Sequence, residues 1–217
     1  MSRCGMSRTV PLVSRRVLIV QHAEKQRLPG DPGLTASGVT QATVTAECLA
    51  EHEDLVAVWA SPLRRAVETA APIARLTGCR LITDIRLRER MNWDDPHVES
   101  LEEFLVEWRM ASDDRDYVPR SGDSSRAAAV RFLDAIGDLV GTYENGTGAV
   151  AAHGGVTVDA LRSLLGDDQL LTDMPDIIKK GVPSCAITTL GFDGSQWRVE
   201  KLPSVAHLGA SAAVLGS

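Results

Sequence analysis

Short apolar runs alternate along the chain with longer segments in which apolar residues recur every three or four positions. The runs predict buried strands at Val17–Val20, Leu55–Ala60 and Ala149–Ala152, because four to eight consecutive apolar residues suit a strand covered on both faces. The segments between them predict amphipathic helices. We therefore expect an α/β fold, a three-layer α/β/α sandwich with a mostly parallel central sheet. Two later apolar segments around the turn at Asp193–Ser195 predict a hairpin, which adds one antiparallel edge strand.

Helix ends are marked by capping residues. Thr35 is placed to cap a helix that runs to about His52. Four apolar residues share the face that this helix is expected to bury: Val39, Ala42, Ala46 and Leu49. Ser61 predicts a second cap, before a helix that has Pro62 in its first turn and ends at Gly78. A later helix is expected to bury a face made of Val98, Leu101, Phe104, Leu105 and Trp108.

Composition limits the class of protein. The chain has 217 residues, 44% of them hydrophobic and 24% charged, which is typical of one domain with a sizeable core. We expect that single domain at 16–208, with a flexible N-terminal tail at 1–15 and a C-terminal tail at 209–217. A net charge of -6 gives no support for a nucleic-acid partner, and no segment approaches the ~18 apolar residues of a membrane span. The four cysteines lie far apart, so we expect a reducing cytoplasm and no zinc site.

Two histidines follow predicted strands. His22 comes after the first strand and His153 directly after the strand that ends at Ala152. If these strands are neighbours in a parallel sheet, the two side chains meet in the crevice where such sheets bind ligands. A single histidine after a strand is more often structural, but Arg65 and Glu89 also stand just beyond strands. Together the four residues predict a site.

The same residues fall within motifs that resemble a known family. The chain reads QHAE at 21–24, SPLRRAVETA at 61–70, LRE at 87–89 and HGG at 153–155, and LTASGVTQA at 34–42 fits between the first two. In this order the motifs resemble those of the histidine phosphatase superfamily, the phosphoglycerate-mutase-like proteins. The resemblance runs from about Val17 to Leu208, and it implies the phosphoglycerate-mutase-like version of the fold with a cap segment at about 93–125.

The resemblance implies a role for each matched residue. The catalytic residues would be His22 as nucleophile, Glu89 as general acid and base, and His153 as a hydrogen-bond donor to the phosphoryl group. The phosphate-binding residues would be Gln21, Arg65 and Gly154, the last through its amide at a helix start. The chemistry implied by the family needs no metal and no cofactor.

The central motif departs from the family pattern, which has Arg-His-Gly where this chain has Gln-His-Ala. Replacing the arginine by Gln21 exchanges charge-assisted hydrogen bonds to the phosphate for neutral ones, which are weaker by roughly 1 to 2 kcal/mol. If this difference acts wholly on the transition state, the rate of hydrolysis falls on the order of ten- to thirty-fold. Lys25 or Arg27 could supply the missing charge instead. Alternatively, the pocket prefers a less charged group than a phosphate monoester, or binds a ligand without turnover.

We therefore expect a metal-independent phosphomonoester hydrolase that acts through a phosphohistidine on a small phosphorylated metabolite. The alternatives are a catalytically inactive relative that binds a phosphorylated ligand or partner, and a phosphomutase. The cap segment is rich in acidic residues, which should disfavour highly anionic substrates, and it is short for a glycolytic mutase of this family. The oligomeric state, a dimer included, is left open by the sequence.

Overall fold

One sheet forms the centre of the molecule, for which a computed structural model describes residues 15–52, 54–93 and 100–209. The strands in these residues are β1 (Arg15–Gln21), β2 (Leu55–Ala60), β3 (Leu81–Thr83), β4 (Gly146–Ala152), β5 (Ile187–Phe192) and β6 (Trp197–Ser204). Across the sheet their order is β3-β2-β4-β1-β5-β6. β1, β2, β3 and β4 are parallel to one another. The mostly parallel α/β architecture is confirmed.

The helices in the described residues are α1 (Ala36–Ala50), α2 (Arg64–Thr77), α3 (Leu101–Asp113), α4 (Ser125–Gly141), α5 (Gly154–Leu165), α6 (Asp167–Asp173) and α7 (Ile177–Lys180). Alternate residues of β1 face opposite layers. Leu18 and Val20 join a core cluster with residues of α1 and α2, while Val17 and Ile19 join one with residues of α4 and α5. The sheet is thus covered on both faces, which confirms the three-layer sandwich.

The antiparallel part of the sheet is a hairpin. β5 pairs antiparallel with β1, and β6 pairs antiparallel with β5. The strand that runs against the others is therefore β5, and the edge strand β6 runs with the others. The reversal between them is stabilised by Asp193, whose Oδ1 accepts hydrogen bonds from the amides of Ser195 and Gln196.

Two helix predictions need correction. Thr35 caps α1 as expected, but Val39 is exposed because the buried face instead carries Gly38, whose backbone lies against the Glu24 carbonyl. The cap predicted at Ser61 is wrong, since α2 begins at Arg64 with Leu63 as its N-cap. The Arg64 amide donates to the carboxylate of Asp31, in the loop between β1 and α1, so this helix does not need a serine there.

The predicted buried face of α3 is wrong in part, since Phe104 and Trp108 are half-buried but the two leucines are not. Leu101 and Leu105 are exposed, whereas Glu107 and Ala111 are buried. The helix turns this side inward because Glu107 accepts a hydrogen bond from the Tyr117 hydroxyl and others from Arg120. Val98, predicted on the same face, lies outside the described residues, as do the tails at 1–14 and 210–217. The domain boundaries and the cap stay predictions. No helix of the described residues has the length and apolar character needed to cross a lipid bilayer.

Candidate active site

The two predicted histidines lie side by side. β1 and β4 are paired so that Gln21 lies opposite Ala152, and the His22 amide donates to the Ala152 carbonyl over 3.0 Å. His22 and His153, the next residues along each strand, therefore leave the same edge of the sheet. Their ring centroids are 5.3 Å apart in an edge-to-face arrangement, and both side chains are buried.

The His22 ring is held in one tautomer. Its Nδ1 lies 2.8 Å from the Ala23 carbonyl oxygen. A carbonyl only accepts, so Nδ1 carries the hydrogen, and the lone pair of the neutral ring is on Nε2. Burial, and next the charge of Arg65, lower the pKa of His22 to about 3. The side chain thus presents an uncharged nitrogen lone pair over the ordinary pH range.

His153 is bonded to a serine. Its Nε2 lies 2.8 Å from the Ser61 hydroxyl, which follows the end of β2, and the Leu63 amide donates to the same hydroxyl over 3.3 Å. Nδ1 of His153 is buried and has no hydrogen-bond partner among the described residues. Burial, followed by the charge of Arg65, holds the pKa of His153 well below its ordinary value. A neutral imidazole with one unused nitrogen therefore adjoins His22.

Arg65 brings a positive charge to these rings from the first turn of α2, where it is buried. Its Nη2 donates to Oδ1 of Asn92 over 3.0 Å, and its Nη1 lies 3.7 Å from Oδ1 of Asp31. Both oxygens of Asp31 also accept the Arg64 amide. The guanidinium is thus fixed by a neutral amide and faces a carboxylate on another side.

Thr69 connects the arginine helix to the histidine turn. Its hydroxyl accepts a hydrogen bond from the Ala23 amide over 2.9 Å and donates to the Arg65 carbonyl over 2.7 Å. The threonine is one helical turn beyond Arg65 and is buried. The positions of His22 and Arg65 are therefore coupled through one hydroxyl.

Glu89 sits at the start of α5. Its Oε2 accepts the Gly155 amide over 2.8 Å and its Oε1 accepts the Val156 amide over 2.7 Å. The Arg90 amide donates to Oε1 as well. A Cβ on Gly155 would lie 2.6 Å from Oε1 of Glu89 and would also collide with the Trp108 ring. Glycine is therefore required for the carboxylate to reach the helix amides, and it places Glu89 beside the turn that carries His153.

Gln21 is buried at the end of β1. Both atoms of its side-chain amide come close to Gly154, since a Cβ there would lie 3.5 Å from Nε2 and 3.6 Å from Oε1. Oε1 is buried and accepts no hydrogen bond from the described residues. Gln21 and Gly154 are thus neighbours at the amino end of α5.

The structure distinguishes the two predicted compensating cations. Lys25 is half-buried, and its charge contributes, as a minor cause, to the lowered pKa of His22. Arg27 lies two residues further along the loop and is exposed. Of the two, Lys25 is the one whose charge reaches the histidine pair.

Four polar residues of the site had no functional role in the sequence prediction: Asp31, Ser61, Thr69 and Asn92. Ser61 and Thr69 lie within the matched motif at 61–70, so their inclusion in that motif was the available signal. Asp31 and Asn92 lie in loops, and nothing in the local sequence separates them from surface residues. Their contacts with Arg65 depend on the tertiary fold.

A cavity of about 420 Å³ lies elsewhere, beside the end of α1 and the hairpin. It is lined by His52 and His207 rather than by the paired histidines. Across the described residues, no three His, Cys, Asp or Glu side chains are grouped as metal ligands. The grouped chemistry is therefore at the edge where β1 and β4 end.

Comparison with known proteins gives a match over most of the chain. The profile of the histidine phosphatase superfamily (branch 1) matches residues 17–204. A probable phosphoglycerate mutase from Enterobacter sp. (strain 638) is 29% identical over 215 residues, which cover 91% of this chain and 96% of the relative. A glucosyl-3-phosphoglycerate phosphatase from Mycolicibacterium vanbaalenii is 31% identical over 173 residues, covering 70% of this chain and 75% of the relative.

A solved structure agrees with the fold. The complex of a mycobacterial glucosyl-3-phosphoglycerate phosphatase with inorganic phosphate has a TM-score of 0.70 and 23% sequence identity, and covers 89% of this chain and 99% of its own. At that identity the likeness supports the architecture alone.

Proposed function

Because the chain belongs to the histidine phosphatase superfamily, we propose that it hydrolyses a small phosphomonoester through a phosphohistidine formed on His22. The family assignment confirms the resemblance seen in the motifs, and with it an enzyme of this superfamily. The observation that carries the mechanism is the pair of buried histidines at the ends of the paired strands β1 and β4, beside the buried Arg65. The named relatives include phosphatases, and one neighbouring structure holds inorganic phosphate.

His22 is suited to be the nucleophile. Its Nδ1 is occupied by the Ala23 carbonyl, so the attacking lone pair is on Nε2. With its pKa lowered to about 3, the ring needs no base to remove a proton before it attacks. A covalent intermediate then divides one displacement into two easier steps.

The other residues supply hydrogen-bond donors for the phosphoryl oxygens. Arg65 offers a positive charge and a planar fork of donors. Nδ1 of His153, which has no hydrogen-bond partner among the described residues, can donate once it carries the ring hydrogen. The amide of Gly154 stands at the start of α5, where helix amides favour an anion. These donors are fixed before the reaction, which is how charge on the transferring phosphoryl group is stabilised.

Glu89 completes the proton balance. In the first step Nε2 of His22 forms a bond to phosphorus, the bond from phosphorus to the ester oxygen breaks, and protonated Glu89 gives that oxygen its proton. In the second step a water oxygen attacks phosphorus, its proton passes to Glu89, and the electron pair of the P–N bond returns to Nε2. Three backbone amides hold the carboxyl group for both steps.

The test is phosphate release from a panel of phosphomonoesters by the native protein, His22→Ala and the matched control His52→Ala. His52 is an exposed histidine outside the site. We expect release by the native protein and the control and none by His22→Ala, together with an acid-labile phosphoryl group on His22 detected by mass spectrometry. Equal release from His22→Ala would overturn the phosphohistidine route.

Two other outcomes identify the alternatives. Isomerised product with little free phosphate would identify a mutase, the activity named for the Enterobacter relative. Tight binding of phosphate with no release from any ester would identify a binding protein.

A further inference from the structure

Two main-chain hydrogen bonds hold the backbone of Gln21 in place. The Gln21 amide donates to the Ala186 carbonyl over 3.0 Å, and the Gln21 carbonyl accepts the Cys185 amide over 3.1 Å. In β1, Gln21 shares a face with Val17 and Ile19, the face covered by α4 and α5. The side chain therefore points towards the start of α5, where it meets Gly154.

Within the described residues, the oxygen of this buried amide has no hydrogen-bond partner. Gln21 is 7% exposed, and its Oε1 accepts no hydrogen bond from the described part of the chain. Buried polar groups in folded proteins are almost always bonded, because an unmet one loses its hydration without replacement. A 180° rotation of the amide exchanges its oxygen and nitrogen, so the group can turn either atom to a ligand. An acceptor left open beside the nucleophile calls for a ligand that donates.

An arginine and a glutamine side chain complement different protonation states of the phosphoryl group. A guanidinium has only donors, which suits the dianion, all of whose free oxygens accept. A carboxamide has a donor and an acceptor side by side. Its complement is an oxygen next to a hydroxyl, which is the arrangement in the singly protonated phosphoryl group.

Resting on the proposed function, we propose that Gln21 makes the site select the monoanion of its phosphomonoester. The P–OH hydrogen is donated to Oε1 of Gln21, and the amide N–H donates to a neighbouring phosphoryl oxygen. The glutamine is thus a specificity-determining residue that favours binding of the singly protonated substrate over the dianion.

The protein has charged and titrating groups of its own around the site. The cations that act on the histidine pair are Arg65, Lys25, Arg88 and Arg131. Carboxylates of the described residues beside these cations or the histidine turn include Asp31, Glu89 and Asp123. One further carboxyl group titrates nearby, since burial raises the pKa of Asp159 on α5 to about 6. The test must therefore separate the ionisation of the substrate from that of the protein.

The pH dependence of catalysis makes that separation. A phosphomonoester loses its second proton at a pKa of about 6, so kcat/KM of the native protein should fall about tenfold per pH unit above that value. Ring-substituted aryl phosphates with a lower second pKa should move this fall to lower pH by the same amount. A fall caused by a group of the protein, such as Asp159, would stay at one pH for every substrate and would contradict the proposal.

Binding of inorganic phosphate gives a second test that needs no turnover. At a pH where free phosphate is mostly the dianion, calorimetry in buffers of different ionisation enthalpy should show uptake of about one proton per phosphate bound. Gln21→Arg keeps every other titrating group. Its binding of phosphate should take up almost no protons, and its kcat/KM should stay constant to a higher pH than that of the native protein. Gln21→Met, with neither charge nor acceptor, should bind phosphate more weakly and without the proton uptake.

The results separate the proposed role of Gln21 from the proposed phosphatase function. Equal proton uptake by the native protein and Gln21→Arg would overturn the proposal. So would a fall in kcat/KM of the native protein that occurs at the same pH for substrates of different second pKa. Proton uptake without any ester hydrolysis would keep the selection by Gln21 and remove the proposed phosphatase function instead.

Discussion

The hydroxyl of Ser61 and Nε2 of His153 form a hydrogen bond of 2.8 Å in the buried interior. The Leu63 amide donates to that same hydroxyl. We infer that the hydroxyl hydrogen is directed at Nε2, which places the ring hydrogen on Nδ1. Ser61 thereby places a donor on the one nitrogen of His153 that has no partner in the described part of the chain.

Ser61→Ala should weaken catalysis by releasing this tautomer. We expect kcat to fall on the order of ten- to a hundred-fold, the same size as the loss when a group that orients a metal-binding histidine is removed, with a smaller change in KM. Nitrogen-15 NMR should show His153 with its hydrogen on Nδ1 in the native protein and a tautomer mixture in the variant. Ser195→Ala, on the exposed turn of the hairpin, is the control and should change neither. A variant with normal kcat and an unchanged tautomer would disprove the role.

The sequence predicted the histidine pair but not the serine that orients one member. His22 and His153 follow recognisable strands, and the rule that parallel strands open a crevice at their carboxyl ends brings them together once the strands are neighbours. Ser61 precedes Pro62 and a helix, which locally is the pattern of a cap. Its actual partner is 92 residues away, and no local pattern carries information over that separation.

The same limit explains the errors in the helices. The spacing of apolar residues correctly located α1. Val39 is nevertheless on the exposed side of this helix, because Gly38 is the residue that packs against a loop carbonyl. On α3, apolar spacing missed Glu107, which is buried by bonds to Tyr117 and Arg120 further along the chain. Periodicity predicts that a helix has a buried side, and tertiary contacts choose among candidate sides.

Gly155→Ala should lower activity by moving the general acid. The added methyl group would collide with Glu89 and with the Trp108 ring, so the carboxyl group would lose its bonds to the amides of α5. We expect kcat to fall on the order of ten- to a hundred-fold for a displaced proton-transfer group, while circular dichroism remains native.

Gly137→Ala is the matched control for that substitution. Gly137 is also helical, in α4, and a Cβ there meets nothing within 4 Å. Alanine should stabilise the helix by about 0.5 to 1 kcal/mol and leave kcat unchanged. Normal activity in Gly155→Ala would show that Glu89 does not need its place at the helix start.

Thr69→Val should uncouple the histidine turn from the arginine helix. Valine keeps the shape but loses the hydroxyl, which leaves the buried Ala23 amide without its acceptor. We expect a loss of about 1 to 3 kcal/mol in the free energy of unfolding by urea and a lower kcat. Thr69→Ser should restore most of both because it keeps the hydroxyl, and Thr40→Val on the exposed side of α1 should stay within about 0.5 kcal/mol. A stable, fully active Thr69→Val would contradict the coupling.

Burial of His22 should make the fold less stable in acid. The imidazole has a pKa of about 3 in the folded protein against 6.5 as its ordinary value, so between these values the unfolded chain binds a proton that the folded chain does not. The free energy of unfolding must therefore fall as pH drops from 6.5 towards 3, by up to ~1.4 kcal/mol per pH unit for this group. Above pH 6.5 the group is neutral in both states and contributes no slope.

His22→Asn removes this titration and leaves that of His153, whose pKa is lowered in the same direction. Urea unfolding of both proteins at pH values between about 4 and 7 should give a shallower dependence for the variant, whatever its absolute stability, because the slope reports bound protons only. Parallel curves would mean that His22 is protonated in the folded protein at moderate pH. A nucleophile in that state would have no free lone pair, so the same result would also weaken the case for attack by Nε2.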